Sequence, residues 1–291
     1  AGSGGHGEAG DMTDDPTRIE AGTIAAWFAA ARQKQAQFGP TAPRSIAGSA
    51  QTLVDVMGLT APQAEAAPEA MAFWHLFLPS VLGSDPTNFT DARARLPRSF
   101  EIVRRGVADA ADHPQLVFLA FHMAAVPLLG AMLASSVQDV LGVRGDLLIA
   151  QRNMMLLRTD AGRWFAELGD VIATDSHGLR RLQTGLRDGS IRRLMILVDG
   201  PHTPGPLTHP LTSMTPRLGF KTTLLRRLFE LEIPVLPVTH FWDGQGLQIA
   251  WQPFLDPATG IATTADRIES LLRRDPTQWL NWAAARAALA R

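Results

Sequence analysis

The stretch "LVFLAFHMAAVPLLGAML", residues 116–133, decides how the whole chain is read. It is almost wholly apolar, and His122 is its one ionisable side chain. A run of this length approaches the roughly 20 apolar residues of a membrane-spanning helix. Two features argue against a span. His122 and Pro127 interrupt the run, and its first half has the short, β-branched and aromatic character of a buried strand. The second half, opened by a proline suited to a helix's first turn, reads as a helix. The expected unit is therefore strand, turn, helix, with the histidine at the strand's carboxyl end.

The same alternation continues downstream. Short apolar runs recur in "DLLIAQ", "DVIATD", "RRLMILVD", "IPVLPVTHF" and "GLQIAWQPF", and "PLLGAMLASSVQDVLG", "TDAGRWFAELG", "HGLRRLQTGLRDG" and "PRLGFKTTLLRRLFELE" carry helical patterns between them. Strands alternating with helices predict an α/β fold with a mixed, mostly parallel sheet flanked by helices. Only "WDGQ" separates the last two runs, which predicts a hairpin at one edge. A final helix over 264–291 is expected to break near Pro276. Upstream, residues 13–112 read as an N-terminal helical region, with helices over 16–39, 68–83 and 98–113 and loops at 39–49 and 83–92. Residues 1–12, "AGSGGHGEAGDM", are tag-like or disordered and stand outside the fold. Residues 113–291 form the expected α/β core, in one compact unit with the helices.

Composition narrows the function. With 291 residues, 46% hydrophobic and 19% charged, the chain is globular in character. A formal net charge of −1 provides no field for nucleic acid or an anionic surface, so no nucleic-acid partner is expected. The absence of cysteine excludes disulfides, thiolate catalysis and cysteine-held metal. A cytoplasmic location is the default expectation, with no transmembrane span; peripheral membrane contact stays open. There is no G-x-S-x-G elbow, no phosphate-binding G-x-x-x-x-G-K-[ST] loop and no G-x-G-x-x-G between strand and helix. His202 and His209, in "DGPHTPGPLTHP", are the closest histidine pair, but the two prolines between them suit a loop better than a preformed metal site. No metal and no cofactor is expected.

Ligands of open α/β sheets gather at the carboxyl ends of the strands. "LVFLAF" runs into His122 there, "RRLMILV" into Asp199 and "VIAT" into Asp175. A histidine oriented by a carboxylate makes a neutral-pH general base. Alternatively, Asp175 and Asp199 cap the turns or helices after their strands.

Four ordered blocks carry a resemblance. "LVFLAFHMAAVPLLGAML", "HGLRRLQTGLRDGSIRRLMILVDGPHTPG", "IPVLPVTHFWDGQGLQIAWQPFLD" and "RRDPTQWLNWAAARAA" resemble the LpxL/HtrB-type lipid A late acyltransferases, of the lysophospholipid acyltransferase superfamily, over about residues 100 to 290. The resemblance implies acyl transfer from a carrier-protein or CoA thioester to a hydroxyl or amine, with an acyl-carrier protein as partner and the thioester as co-substrate. His122 would be the base. Two departures stand out. The family's carboxylate five positions after the histidine is here Pro127, so Asp199 is the preferred substitute and His202 a second candidate for the proton path. The C-terminal "AAARAALAR" offers only Arg286 and Arg291 where lipid A enzymes carry a basic run, so a small or carrier-tethered acceptor, as in secondary-metabolite biosynthesis, is expected. Arg180 and Arg181 are candidates to hold a phosphate. Trp279 and Trp282 are candidates for an acyl-pocket wall, with core packing as the other reading. Pro127 also keeps open a non-catalytic scaffold that binds acyl chains or a carrier protein, or an enzyme that processes thioesters differently.

Overall fold

The computed structural model describes residues 15–39, 43–85, 87–149, 169–214 and 218–290. The chain opens with α1 (Pro16–Phe38), α2 (Arg44–Met57) and α3 (Ala61–Ala72). A single π turn, Phe73–Phe77, leads into α4 (Leu78–Ser84). Two one-turn helices, α5 (Thr87–Thr90) and α6 (Ala92–Arg95), precede α7 (Pro97–Asp109). Residues 116–133 then divide as their composition predicts, into β1 (Leu116–Ala120) and the start of α8 (Val126–Leu141), with Pro127 in the first turn. Gly142, at φ 64°, ends α8 in the left-handed conformation that glycine adopts at least cost. No helix among the described residues is long and apolar enough to cross a membrane.

Beyond it come β2 (Gly145–Ile149), β3 (Gly169–Ala173), α9 (Ser176–Asp188) and β4 (Arg193–Leu197). A small excursion follows: β5 (Pro201–His202), β6 (Thr208–Leu211) and β7 (Leu218–Lys221). The chain closes with α10 (Thr223–Glu230), the hairpin β8 (Val235–Trp242) and β9 (Leu247–Trp251), then α11 (Gly260–Arg274), a 3-10 turn at Pro276–Gln278, and α12 (Trp282–Leu289). The expected helix at "TDAGRWFAELG" and the end of "DLLIAQ" lie outside the described residues.

The main sheet has the order β3-β2-β4-β1-β8-β9. Its pairs are parallel except the β8–β9 hairpin, which is antiparallel as "WDGQ" predicts. β1 and β4 lie in the middle, and all five residues of β1 are buried, which explains its unbroken apolar sequence. Side chains alternate between two cores. Leu116, Phe118 and Ala120 pack under α1, α4, α7 and α8, whereas Val117 and Leu119 join the core beneath α2, α10, α11 and α12. The N-terminal helices thus cover both faces instead of standing apart.

Two anchors tie distant parts together. Buried Arg193 donates to the carbonyls of Ala111, His113, Pro114 and Arg192 at 2.8–3.2 Å, so the start of β4 clamps the chain entering β1. At the far edge, Trp251 of β9 donates its indole N–H to Ile102 O (2.9 Å) and lies on Gly106 of α7, where a Cβ would have no room.

Three expectations are corrected. Residues 44–57, within and after an expected loop, form α2: Ile46, Ala50, Leu53 and Val56 repeat at helical spacing, a stripe disguised by Gly48 and small polar neighbours. Residues 216–232, read as one helix, contain β7 before α10, because Leu218 and Phe220 alternate inward over too few residues to signal a strand. The three-stranded antiparallel sheet β5-β7-β6 was not expected at all, since its two- and four-residue strands lie among prolines.

Candidate functional site

The register of the central strands builds the site. β1 pairs with β4 from Leu116↔Arg193 to Ala120↔Leu197, a constant offset of 77. Two residues further, the same offset sets His122 level with Asp199. The chain leaves β1 toward β2 through α8 on one face, and leaves β4 toward β8 through α10 on the other. Connections that depart on opposite faces open a crevice at the carboxyl ends of such strands. His122 and Asp199 stand at that point.

Their contact is direct. His122 Nδ1 lies 2.7 Å from Asp199 Oδ1, and His122 backbone N–H donates to Asp199 Oδ2 at 2.9 Å. Asp199 is 1% exposed and His122 21%, so the carboxylate is sealed behind a ring that reaches the surface. Because the carboxylate accepts from Nδ1, the neutral ring carries its proton there and turns a lone pair outward at Nε2. Among the described residues no hydrogen bond to Nε2 is formed.

A short C-terminal segment wraps this pair. Trp279 Nε1 donates to Asp199 Oδ2 (2.8 Å), and Asn281 Nδ2 donates to Asp199 O (3.2 Å). Leu280 N–H donates to His122 O (2.7 Å), and Met123 forms an isolated antiparallel bridge with Trp279. The segment is itself pinned. Gln278 bonds both backbone groups of Trp242, at 3.0 and 2.6 Å, and Trp282 Nε1 donates to Pro276 O (2.7 Å). His75, in the π turn, donates through Nε2 to Thr277 O (2.9 Å). Polar groups placed this deep need partners, and these are mutually satisfied.

Electrostatics follow from the packing. Burial alone would raise the Asp199 pKa, but the charge and hydrogen bonds of His122, with the Trp279 indole, hold it below the ordinary carboxylate value. It therefore remains an anion at neutral pH. Burial lowers His75 to about 4, against the opposing pull of the Thr277 carbonyl and Asp275. His240, in β8, is wholly buried and also lowered to about 4, by burial first, with Asp199 and the Met123 backbone opposing.

The other expected site residues are placed as follows. His202 lies in β5, three positions beyond Asp199 and level with Gly219; His122 and Trp279 donate from their side chains to the Asp199 carboxylate. Trp279 and Trp282 are buried at 1% and 0% exposure and pack edge-to-face at 4.8 Å, with the Trp279 indole N–H spent on Asp199. Arg180 is exposed on α9. Arg181 pairs with Asp170 (2.9 Å) and Asp146 (3.8 Å). Those aspartates sit at the amino ends of β3 and β2, where Arg181, Arg144 and both carboxylates line a cleft of about 270 Å³ at the opposite end of the sheet from His122. Asp175 caps α9, accepting from Gly178 N–H at 2.7 Å, as the capping alternative holds. Among the described residues no cluster suits a metal ion.

Asn281, Gln278, His75 and His240 were not anticipated. One signal was present: "TQWLNW" sets two amides and two indoles, all hydrogen-bonding groups, inside an otherwise apolar stretch, a pattern that buried polar networks require. Fold and site together define an α/β protein with an imidazole–carboxylate pair at the carboxyl edge of a mostly parallel sheet. Comparison with known protein families and with curated proteins found no match.

Proposed function

We propose that this chain is an acyltransferase that moves an acyl group from a carrier-protein or CoA thioester to a hydroxyl or amine. The observation that carries the reading is the 2.7 Å contact between His122 Nδ1 and buried Asp199, with the imidazole partly open to solvent. Pro127 leaves the first block of the LpxL-like resemblance without its carboxylate, and a remote strand end supplies one instead. In this mechanism Nε2 of His122 takes the proton of the acceptor O–H or N–H as that atom attacks the thioester carbonyl. Asp199 stabilises the resulting imidazolium. The tetrahedral intermediate collapses by breaking the C–S bond, and the departing thiolate takes the proton back from Nε2. Ester or amide and free thiol are the products, and no cofactor is needed for the balance. An acyl-carrier protein is the proposed partner.

The test uses purified protein with a panel of acyl-CoA and acyl-carrier-protein thioesters, with hydroxylamine and small amino alcohols as acceptor probes. Thiol release is followed colorimetrically and acyl products by mass spectrometry. His122→Ala should lower the rate by about 10²–10⁴-fold with unchanged circular dichroism. Thiol release without an acylated acceptor would mark hydrolysis instead, by the same base acting on water. A fully active His122→Ala protein removes the reading.

A further inference from the structure

The offset that aligns His122 with Asp199 has a counterpart on the other side of β1. The β1–β8 ladder runs from Val117↔Val235 to Leu119↔Pro237, an offset of 118, and stops there. Three residues on, this offset sets His240 level with His122. Carried past the last pair, the two offsets bring Asp199, His122 and His240 into neighbouring positions, and the Asp199 and His122 charges both act on the His240 ring. By strand alternation His240 shares the inward face of Leu236, Val238 and Trp242.

Nothing in the proposed chemistry uses His240. It is 0% exposed, so it touches no substrate, and neither ring nitrogen has a well-formed hydrogen-bond partner. The Met123 and Val238 backbones lie close to the ring. An imidazole buried with so little satisfaction is costly compared with leucine or phenylalanine at the same place. Its position explains what it touches. β1 has left the ladder by residue 121, so the turn that carries His122 has lost its strand partner on the β8 side. Met123, directly after His122, is held from one direction by its bridge to Trp279. The His240 ring lies against the Met123 backbone from within the core.

We propose that His240 is a positioning residue: its ring braces the Met123 backbone and thereby keeps the His122 imidazole aligned on Asp199. The inference rests on the imidazole–carboxylate pair described above, not on which acyl acceptor is used. Its test needs no substrate. Protein labelled with ¹⁵N-histidine reports each ring's tautomer, and His122→Gln assigns the His122 signals. In the unaltered protein His122 should appear as the Nδ1–H tautomer with a slowly exchanging, downfield Nδ1 proton. If that pattern is missing in the unaltered protein, the pair itself fails and the brace with it.

His240→Leu keeps the volume and removes the polar ring. The His122 signals should then shift toward a mixture of tautomers, with Nδ1 proton exchange faster on the order of tenfold, the factor expected when one buried anchoring contact is lost. His240→Asn, which can still reach the Met123 backbone, should restore most of the pattern. Unchanged His122 signals in a folded His240→Leu protein overturn the proposal, because a residue that only fills space would lower the melting temperature and leave the tautomer alone. If both variants fail to fold, His240 is a core residue and the proposal is likewise overturned.

Discussion

His75 and His240 make the stability of this fold depend on pH in a direction that can be worked out. Both titrate at about 4 in the fold against 6.5 in the open chain. As pH falls below about 6.5, the unfolded chain gains protons that the buried rings refuse. Their contribution is therefore complete above pH 6.5 and is lost between about 6.5 and 4. Each corresponds to a slope of roughly 1.4 kcal/mol per pH unit, or about 3 kcal/mol across the window. Asp146 acts in the opposite sense. Burial first, and then Asp170, raise it to about 6, so between about 4 and 6 the fold keeps a proton that the open chain releases. That contribution is present at low pH and lost as pH rises through about 6. Because Asp146 borders an open cleft, solvent screens it and it offsets less than one full proton. The net excess on the unfolded chain is then between one and two protons. Unfolding free energy should fall by about 2 to 4 kcal/mol from pH 6 to 4.5. Urea unfolding followed by tryptophan fluorescence, at constant ionic strength and half-unit pH steps, measures this directly. Asp146→Asn should steepen the dependence, and His240→Leu should flatten it by about one proton. A flat or rising stability on acidification, or a His240→Leu protein with the unaltered slope, would refute the placement of these groups.

Three further outcomes follow from the site and its supports. Asp199→Asn keeps the shape but reverses the preferred histidine tautomer, and should cost turnover on the order of 10⁴-fold with the fold retained, measured by thiol release and circular dichroism. Trp279→Phe preserves the packing against Trp282 but removes one donor to a buried anion, so it should destabilise the protein by roughly 1.5–3 kcal/mol in urea; a change below about 0.5 kcal/mol would show that the indole N–H is not needed by Asp199. Arg193→Met leaves the carbonyls of Ala111, His113 and Pro114 without their donor and should cost about 3 kcal/mol or more, read as a lowered denaturation midpoint.

How far these features were visible in the residue string depends on how local their causes are. β1, β4 and β8 are buried on both faces and therefore read as plain apolar runs, and α8 announces itself by Pro127 and Gly142. The four-residue gap "DGQG" after Trp242 was enough for a hairpin because turn chemistry is set by neighbours in the chain. α2 was missed for the converse reason: its stripe is made largely of small side chains, and it becomes a good helix only when Arg286 lies over Gly48 and the adjoining core closes on Leu53. β5, β6 and β7 are too short to have a period, and they exist because each finds a partner in β7 or supplies one.

The site shows the same division between local and non-local causes. His122 and Asp199 could be paired from sequence because both end predicted central strands of a parallel sheet, where strand ends converge. What could not be read was which neighbours would tune them. Trp279 is 80 positions from Asp199, and His240 lies 118 positions from His122, so their meeting depends on strand order and register, which no short-range pattern encodes. Once the order β4-β1-β8 is known, two constant offsets bring a carboxylate and two imidazoles into neighbouring positions. In the acyltransferase proposed above, Pro127 is then no defect. A carboxylate on the same helix turn would have had to reach back to His122, whereas Asp199 meets it in the plane of the sheet and is held there by a second chain segment. In that reading, an acid at the end of β4 instead of on α8 leaves the first turn of α8 free to take a proline, and residues 278–281 of the C-terminal segment hold the base in place.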